Sequence, residues 1–175
     1  MNQRSFAQSL RINKGLIACD EVDFYGCRAD VLAINTRAET IIEYEFKNNS
    51  QDLKVREPKK SKYKIQCRRY KNDWRWHQSK KHKGCINTTV FKEPQKPNQF
   101  YFVMPVSLWE KEEEYIRSLG VHIGAIAIRG NGDFYVEKRS RIRMKNLQKY
   151  SVAVQSILRR LANVYAWDKP ELKGE

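Results

Sequence analysis

No run of this 175-residue chain is long and apolar enough to cross a membrane, and none behind the Met-Asn-Gln-Arg start reads as a secretory leader. A membrane-spanning or exported protein is therefore not expected, nor is a membrane partner. Cysteine is scarce: Cys19, Cys27, Cys67 and Cys85 are scattered without a CxxC pair. That excludes a disulfide mini-protein and leaves thiols in a reducing, cytoplasmic setting as the expectation. No internal repeat occurs. Acidic residues are short of the basic ones, 20 Asp and Glu against 34 Lys and Arg, for a formal net charge of +14. A hydrophobic share of 41% nevertheless excludes a wholly disordered chain, and the length suits one domain over residues 1–175.

The positive excess is local. Lys54 to Lys83 holds 13 Lys and Arg against two acids, Glu57 and Asp73. Such a block repels itself unless a polyanion screens it, and a phosphate backbone does so while releasing counterions. Tyr63, Tyr70, Trp74 and Trp76, interleaved with the basic residues, offer ring faces on which unpaired bases stack. The segment 54–83 thus reads as a DNA-binding stretch. Its expected contacts are Lys59, Lys60, Lys62, Arg68, Arg69, Lys71, Trp74, Arg75, Lys80, Lys81, His82 and Lys83. A solvated basic helix with its aromatics packed on the core is the other reading, and both can hold together. Cys67, His77, His82 and Cys85 also make a donor set suited to tetrahedral zinc, although Cys67 and His77 are spaced more loosely than in common fingers.

Hydrophobic spacing predicts an opening helix from Ser5 to Ile17, ended by Gly15. Arg28–Ile34 and Thr40–Lys47 read as neighbouring strands joined by the turn Asn35–Glu39, with a further strand over Asp20–Tyr25. The basic block then carries helical stretches until Glu93–Pro97 breaks them. Phe100–Met104 has strand length, and Ser107-Leu-Trp-Glu110 has the spacing of a capping box opening a helix to Leu119. Ile123–Ile128 and Phe134–Lys138 flank Gly130–Asp133, whose Asn-Gly step suits the positive φ angles of a tight hairpin. Residues 145–166 form a closing helix, with Leu147, Tyr150, Ser151, Val154, Ile157, Leu158, Leu161, Val164 and Tyr165 as its apolar stripe. The order implies an α/β fold, a mixed sheet covered by helices.

The strand ending at Lys47 carries the chemistry. Alternation puts Glu43, Glu45 and Lys47 on one face and Ile42, Tyr44 and Phe46 on the other, with only the second face expected to be core. Neighbouring carboxylates repel, a cost that a divalent cation offsets. Asp30, heading the adjacent apolar strand, adds a third acid. Oxygen donors of this kind suit Mg²⁺ or Mn²⁺, which activates water and neutralises phosphate charge.

An Asp at the head of one strand followed by Glu45-Phe46-Lys47 on the next resembles the PD-(D/E)XK nuclease superfamily, with Ala29 in place of the proline. The continuation Asn48-Asn-Ser-Gln-Asp52, the later Lys80-Lys-His-Lys83 and Gln99–Pro105 are similar to small stand-alone phage and bacterial repair-type members, over roughly Ala18 to Lys138. The resemblance implies a restriction-endonuclease-like αβββαβ core, here extended by a C-terminal hairpin and helix. It also implies metal-dependent hydrolysis of DNA phosphodiester bonds in repair, recombination or phage DNA processing. Asp30 and Glu45 would be metal ligands together with the Phe46 carbonyl. Lys47 would orient water and the scissile phosphate, and Glu43 and Asp52 are secondary candidates. Many members contribute a further acid from the first helix; the helix expected here holds none, which leaves Glu21, Asp23 or a water for that place. Cleavage of both duplex strands would take a homodimer. A non-catalytic nucleic-acid-binding module with the same fold is the alternative.

Overall fold

In the computed structural model, which describes residues 1–25, 27–59, 64–68, 86–90, 97–143 and 147–167, alternation and helical periodicity produce α1 (Gln3–Lys14), β1 (Ile17–Phe24), β2 (Cys27–Asn35) and β3 (Thr40–Phe46). They are followed by a helical segment over Asp52–Lys59, β4 (Lys64–Arg68), β5 (Ile86–Val90), β6 (Gln99–Pro105), α2 (Val106–Ser118), β7 (Ile123–Ile128), β8 (Phe134–Lys138) and α3 (Leu147–Trp167). Six strands make one mixed sheet in the order β1-β2-β3-β6-β7-β8, parallel at β3–β6 and β6–β7 and antiparallel elsewhere. The architecture is α/β, a sheet flanked by helices on both faces.

Period-two alternation splits the core. One face buries Val31, Ala33, Ile42, Tyr44, Val103 and Ile126 against Phe6, Ala7 and Leu10 of α1. The opposite face is covered twice: Leu32, Ile34 and Ile41 pack under Ala153 and Ile157 of α3, while Phe100, Phe102 and Met104 pack under Leu108, Trp109 and Ile116 of α2. Gly124 pairs with Tyr101 in the β6–β7 register, and a Cβ there would run into the Tyr101 ring and stand 2.7 Å from the Lys138 carbonyl. Tyr101 stacks on Tyr44 with ring centroids 5.7 Å apart, so this close approach helps to set the core face.

Several local expectations are corrected. α1 starts earlier than Ser5, because Asn2 caps it through Ser5, and Ile17 belongs to β1; Gly15 closes the helix as expected, in the left-handed region (φ 61°). The capping box at Ser107 does not form: Pro105 takes the N-cap position, so Ser107 already lies inside the first turn. In the β7–β8 hairpin only Gly132 has positive φ (90°). The turn closes from the Gly132 N–H to the Arg129 carbonyl, a bulged loop instead of a paired Asn-Gly turn. On α3, Ala153 and Ile157 are the buried residues among those whose side chains are described, whereas Leu158 is 59% exposed and Ser151 exposed, so that part of the stripe is wider than the face the sheet covers; the side chains of Leu147, Val164 and Tyr165 lie outside the described residues. Among the described residues of the basic block, the helical reading holds for Lys54–Lys59. Beyond it β4 and β5 pair antiparallel, Lys64 with Val90 and Arg68 with Ile86, as Ile86-Asn-Thr-Thr-Val90, rich in β-branched residues, favours.

Candidate functional site

The site is built where β2 and β3 part. Their ladder ends at Val31–Tyr44. One residue further on, Asp30 has left the pairing, and the Phe46 amide donates to Asp30 Oδ2 at 2.7 Å. The β1–β2 ladder also skips this level: Asp20 pairs with Val31 and Val22 with Ala29, while Glu21 between them adopts φ 53°. Side-chain alternation is re-phased there, since Val31 faces α1 but Ala29 lies in the α3 cluster. Glu21 is held by Arg28 (2.6 Å) and Arg160 (3.1 Å), and Asp23 is exposed.

Beyond the fork, Lys47 prolongs β3 through its amide, which donates to the Val103 carbonyl at 2.9 Å. Its ammonium pairs with Glu57 (2.8 Å), Glu45 (3.1 Å) and Asp52 (3.3 Å). The expectation that the Glu43, Glu45 and Lys47 face is not core is overturned. These residues are 3%, 1% and 1% exposed, and Glu43 is no glutamate at a solvated sheet end. The cause is the helical segment after β3. Leu53 drops into the α2 cluster, and Lys54 fastens the segment to buried Glu112 of α2 while lying 5.1 Å over the Tyr115 ring. Glu57 is thereby carried over the end of β3.

Burial alone would push the Lys47 ammonium down. The carboxylates of Glu57 and Glu45 outweigh it and hold the pKa up at about 12, so Lys47 is a fixed cation. Hydrogen bonds from Lys54 and Ser50 lower the Glu112 pKa and keep it ionised.

Of the sequence-derived site residues, Glu45, Lys47 and Asp52 meet in one cluster. Asp30 lies at the fork beside the Phe46 backbone, and Glu43 lies on the Glu45 face deeper in the sheet. Glu57 was missed; an isolated acid between Arg56 and Pro58 in a basic run was the available signal. Glu112 was also legible, falling with Leu108, Trp109 and Ile116 on the inner stripe of α2. Among the described residues no group of three or more His, Cys, Asp or Glu could hold a metal ion, so any fit to a divalent cation rests on the Asp30 and Glu45 carboxylates with the Phe46 carbonyl. The side chains of Lys59, Lys60, Lys62, Arg68, Arg69, Lys71, Trp74, Arg75, Lys80, Lys81, His82 and Lys83 lie outside the described residues. So do the side chains of Cys67, His77 and Cys85 of the zinc reading.

No protein-family model and no curated protein matches the chain. Among solved structures, a Silicibacter pomeroyi protein of unknown function is similar, with TM-score 0.61 and 14% identity over 98% of this chain and 91% of that one. At that identity the likeness bears on fold alone. No helix among the described residues is long and apolar enough to cross a membrane.

Proposed function

We propose that the chain is a metal-dependent nuclease hydrolysing DNA phosphodiester bonds, with a restriction-endonuclease-like core. The observation that carries this reading is the buried Glu45–Lys47 pair at the end of β3, beside the fork at which Asp30 leaves the β2–β3 pairing. Buried charges are costly, and groups whose ionisation is held by a specific charge partner concentrate at functional sites. The element order supports it: one helix, three antiparallel strands, a helical segment and, after the inserted β4–β5 pair, a parallel strand agree with the αβββαβ order that the resemblance implies.

Asp30 and Glu45 would hold Mg²⁺ or Mn²⁺ together with the Phe46 carbonyl, since such ions take one or two carboxylates and keep several waters. Bound there, the ion would supply an activated water and charge neutralisation on the phosphate. The Phe46 amide fixes the Asp30 carboxylate against the β3 backbone, and Glu45 fixes the Lys47 ammonium. Lys47 meets a scissile phosphate only by exchanging Glu57 or Asp52 for it. Roles in repair, recombination or phage DNA processing, and a homodimer for duplex cleavage, belong to the same proposal.

One observation favours the second reading, a nucleic-acid-binding module without catalysis: a lysine 1% exposed and ringed by three carboxylates serves equally as a structural ion cluster. The two separate on labelled duplex, single-stranded and branched DNA, with RNA as control, in Mg²⁺, Mn²⁺ and EDTA. Asp30→Asn and Glu45→Gln keep the local hydrogen-bonding shape. The nuclease reading expects cutting in metal, none in EDTA and none in either variant, with circular dichroism showing that each variant is folded. Binding without cutting in any metal refutes it in favour of the module.

A further inference from the structure

The C-terminal ends of β3, β6 and β7 open onto two cavities that meet. One, of about 230 Å³, is lined by Phe46, Asn48, Pro105, Ile128 and Arg129, and the other, of about 610 Å³, by Phe46, Asn48, Gln3, Arg4, Asp20 and Arg160. Sharing Met1, Phe46 and Asn48, they make one trench that begins at the carboxyl ends of the parallel strands, where open α/β sheets receive ligands, and runs past the start of α1 to Asp20 of β1. We propose that this trench holds the sugar–phosphate backbone of a DNA strand and leads it past Asp30, with Arg4 and Arg129 as phosphate contacts and Asn48 as a donor at the bend. The inference deepens the nuclease reading and rests on it for the identity of the ligand.

The charge arrangement fits an extended polyanion. Arg4 and Arg129 are both exposed on the trench wall, and the Arg129 guanidinium lies over the Tyr135 ring, 4.5 Å from its centroid. The trench acids do not cancel them: Glu21 is engaged by Arg28 and Arg160, and Arg160 also donates to the Asp20 carbonyl at 3.3 Å, which leaves Asp20 as the single trench carboxylate without a described ion pair. Phe46, half-buried at the junction, gives the floor an apolar spot beside the amide that Asp30 holds. An open, two-ended trench suits a strand passing through better than a small enclosed ligand.

The test is binding of a short fluorescein-labelled DNA duplex in EDTA, where nothing is cut, across a salt titration. Wild type is compared with Arg4→Gln, Arg129→Gln, the double variant and Arg37→Gln, the last removing an exposed charge from the turn at the opposite end of β3. Each trench variant is expected to weaken binding several-fold and to reduce the slope of log affinity against log salt by about one, and the double variant by about two, with Arg37→Gln at wild type. Unchanged slopes in the trench variants, or an equal loss in Arg37→Gln, would overturn the proposal. Circular dichroism melting of each variant guards against unfolding. Slopes that fall as expected in a protein that cuts nothing in any metal would support the trench and refute the nuclease. Unchanged slopes in a protein that cuts would do the reverse.

Discussion

Replacing Lys47 by methionine isolates the energetics of the buried cluster. The substitution keeps most of the stem volume, so little cavity cost is added, but it removes the cation facing Glu45 and Glu57, both 1% exposed. Removing one partner of a buried pair costs about 3–5 kcal/mol, because the remaining charge has neither water nor counter-charge. For a chain of this length that is a fall of roughly 6–20 °C in melting temperature, at about 2–4 °C per kcal/mol. Urea titration followed by the fluorescence of buried Trp109 reads the loss, and adding Glu57→Gln should restore part of it. A loss below about 1 kcal/mol would refute a dry cluster and mean that water reaches these carboxylates. Lys47→Ala is expected to abolish cleavage, and such a titration tells lost chemistry from lost folding.

In wild type, the folded pKa of Lys47, about 12, lies above its ordinary 10.5, so its stabilisation is complete below 10.5 and is lost as pH rises through about 12. An alkaline urea series should show a steeper decline for wild type than for Lys47→Met. Burial, with Tyr101 nearby, also raises the Tyr44 phenol, so a common decline above pH 10 is expected in both proteins. Asp30→Ala should cost about 1–3 kcal/mol in the same titration by orphaning the Phe46 amide, whereas Asp30→Asn retains an acceptor and should stay near wild type. Equal losses in the two would remove the capping role of Asp30. Gly124→Ala should lower stability by about 1–3 kcal/mol through collision with Tyr101 and the Lys138 carbonyl, read as a lower melting temperature; a neutral result would mean that the ring moves aside at little cost.

The strands around the site were legible because β2 and β3 carry apolar runs bounded by the polar turn Asn35–Glu39, and strand parity correctly grouped Glu45 with Lys47. Parity assigns residues to faces but not what covers each face. The cover over Lys47 depends on Leu53 reaching the α2 cluster and on Lys54 reaching Glu112, contacts distant in sequence that no local pattern announces. Glu57 was hidden by its basic surroundings. Ser107 looked like a cap because its spacing to Glu110 is right, yet Pro105 had already taken that position. The re-phasing at Glu21 and Asp30 is likewise unreadable from composition, since it depends on a left-handed glutamate held between two arginines.

The parallel β3–β6 seam bears on how the chain assembles. β1, β2 and β3 pair through short turns, and β6, α2, β7 and β8 form a second locally wired run, so each can gain most of its partners early. The seam joins residues far apart: the Ile41 amide donates to Asn98 Oδ1 across a separation of 57, and the Asn98 amide returns a bond to the Ile41 carbonyl at 2.9 Å. Closing a loop of that size is the entropically expensive step, which makes seam formation the natural determinant of folding rate. Because closure entropy rises by only about 0.6 kcal/mol for each doubling of loop length, the intervening chain can vary in length at little thermodynamic cost. Its length would register mainly in the rate at which the two runs, the second bringing α3 back over β1, find one another.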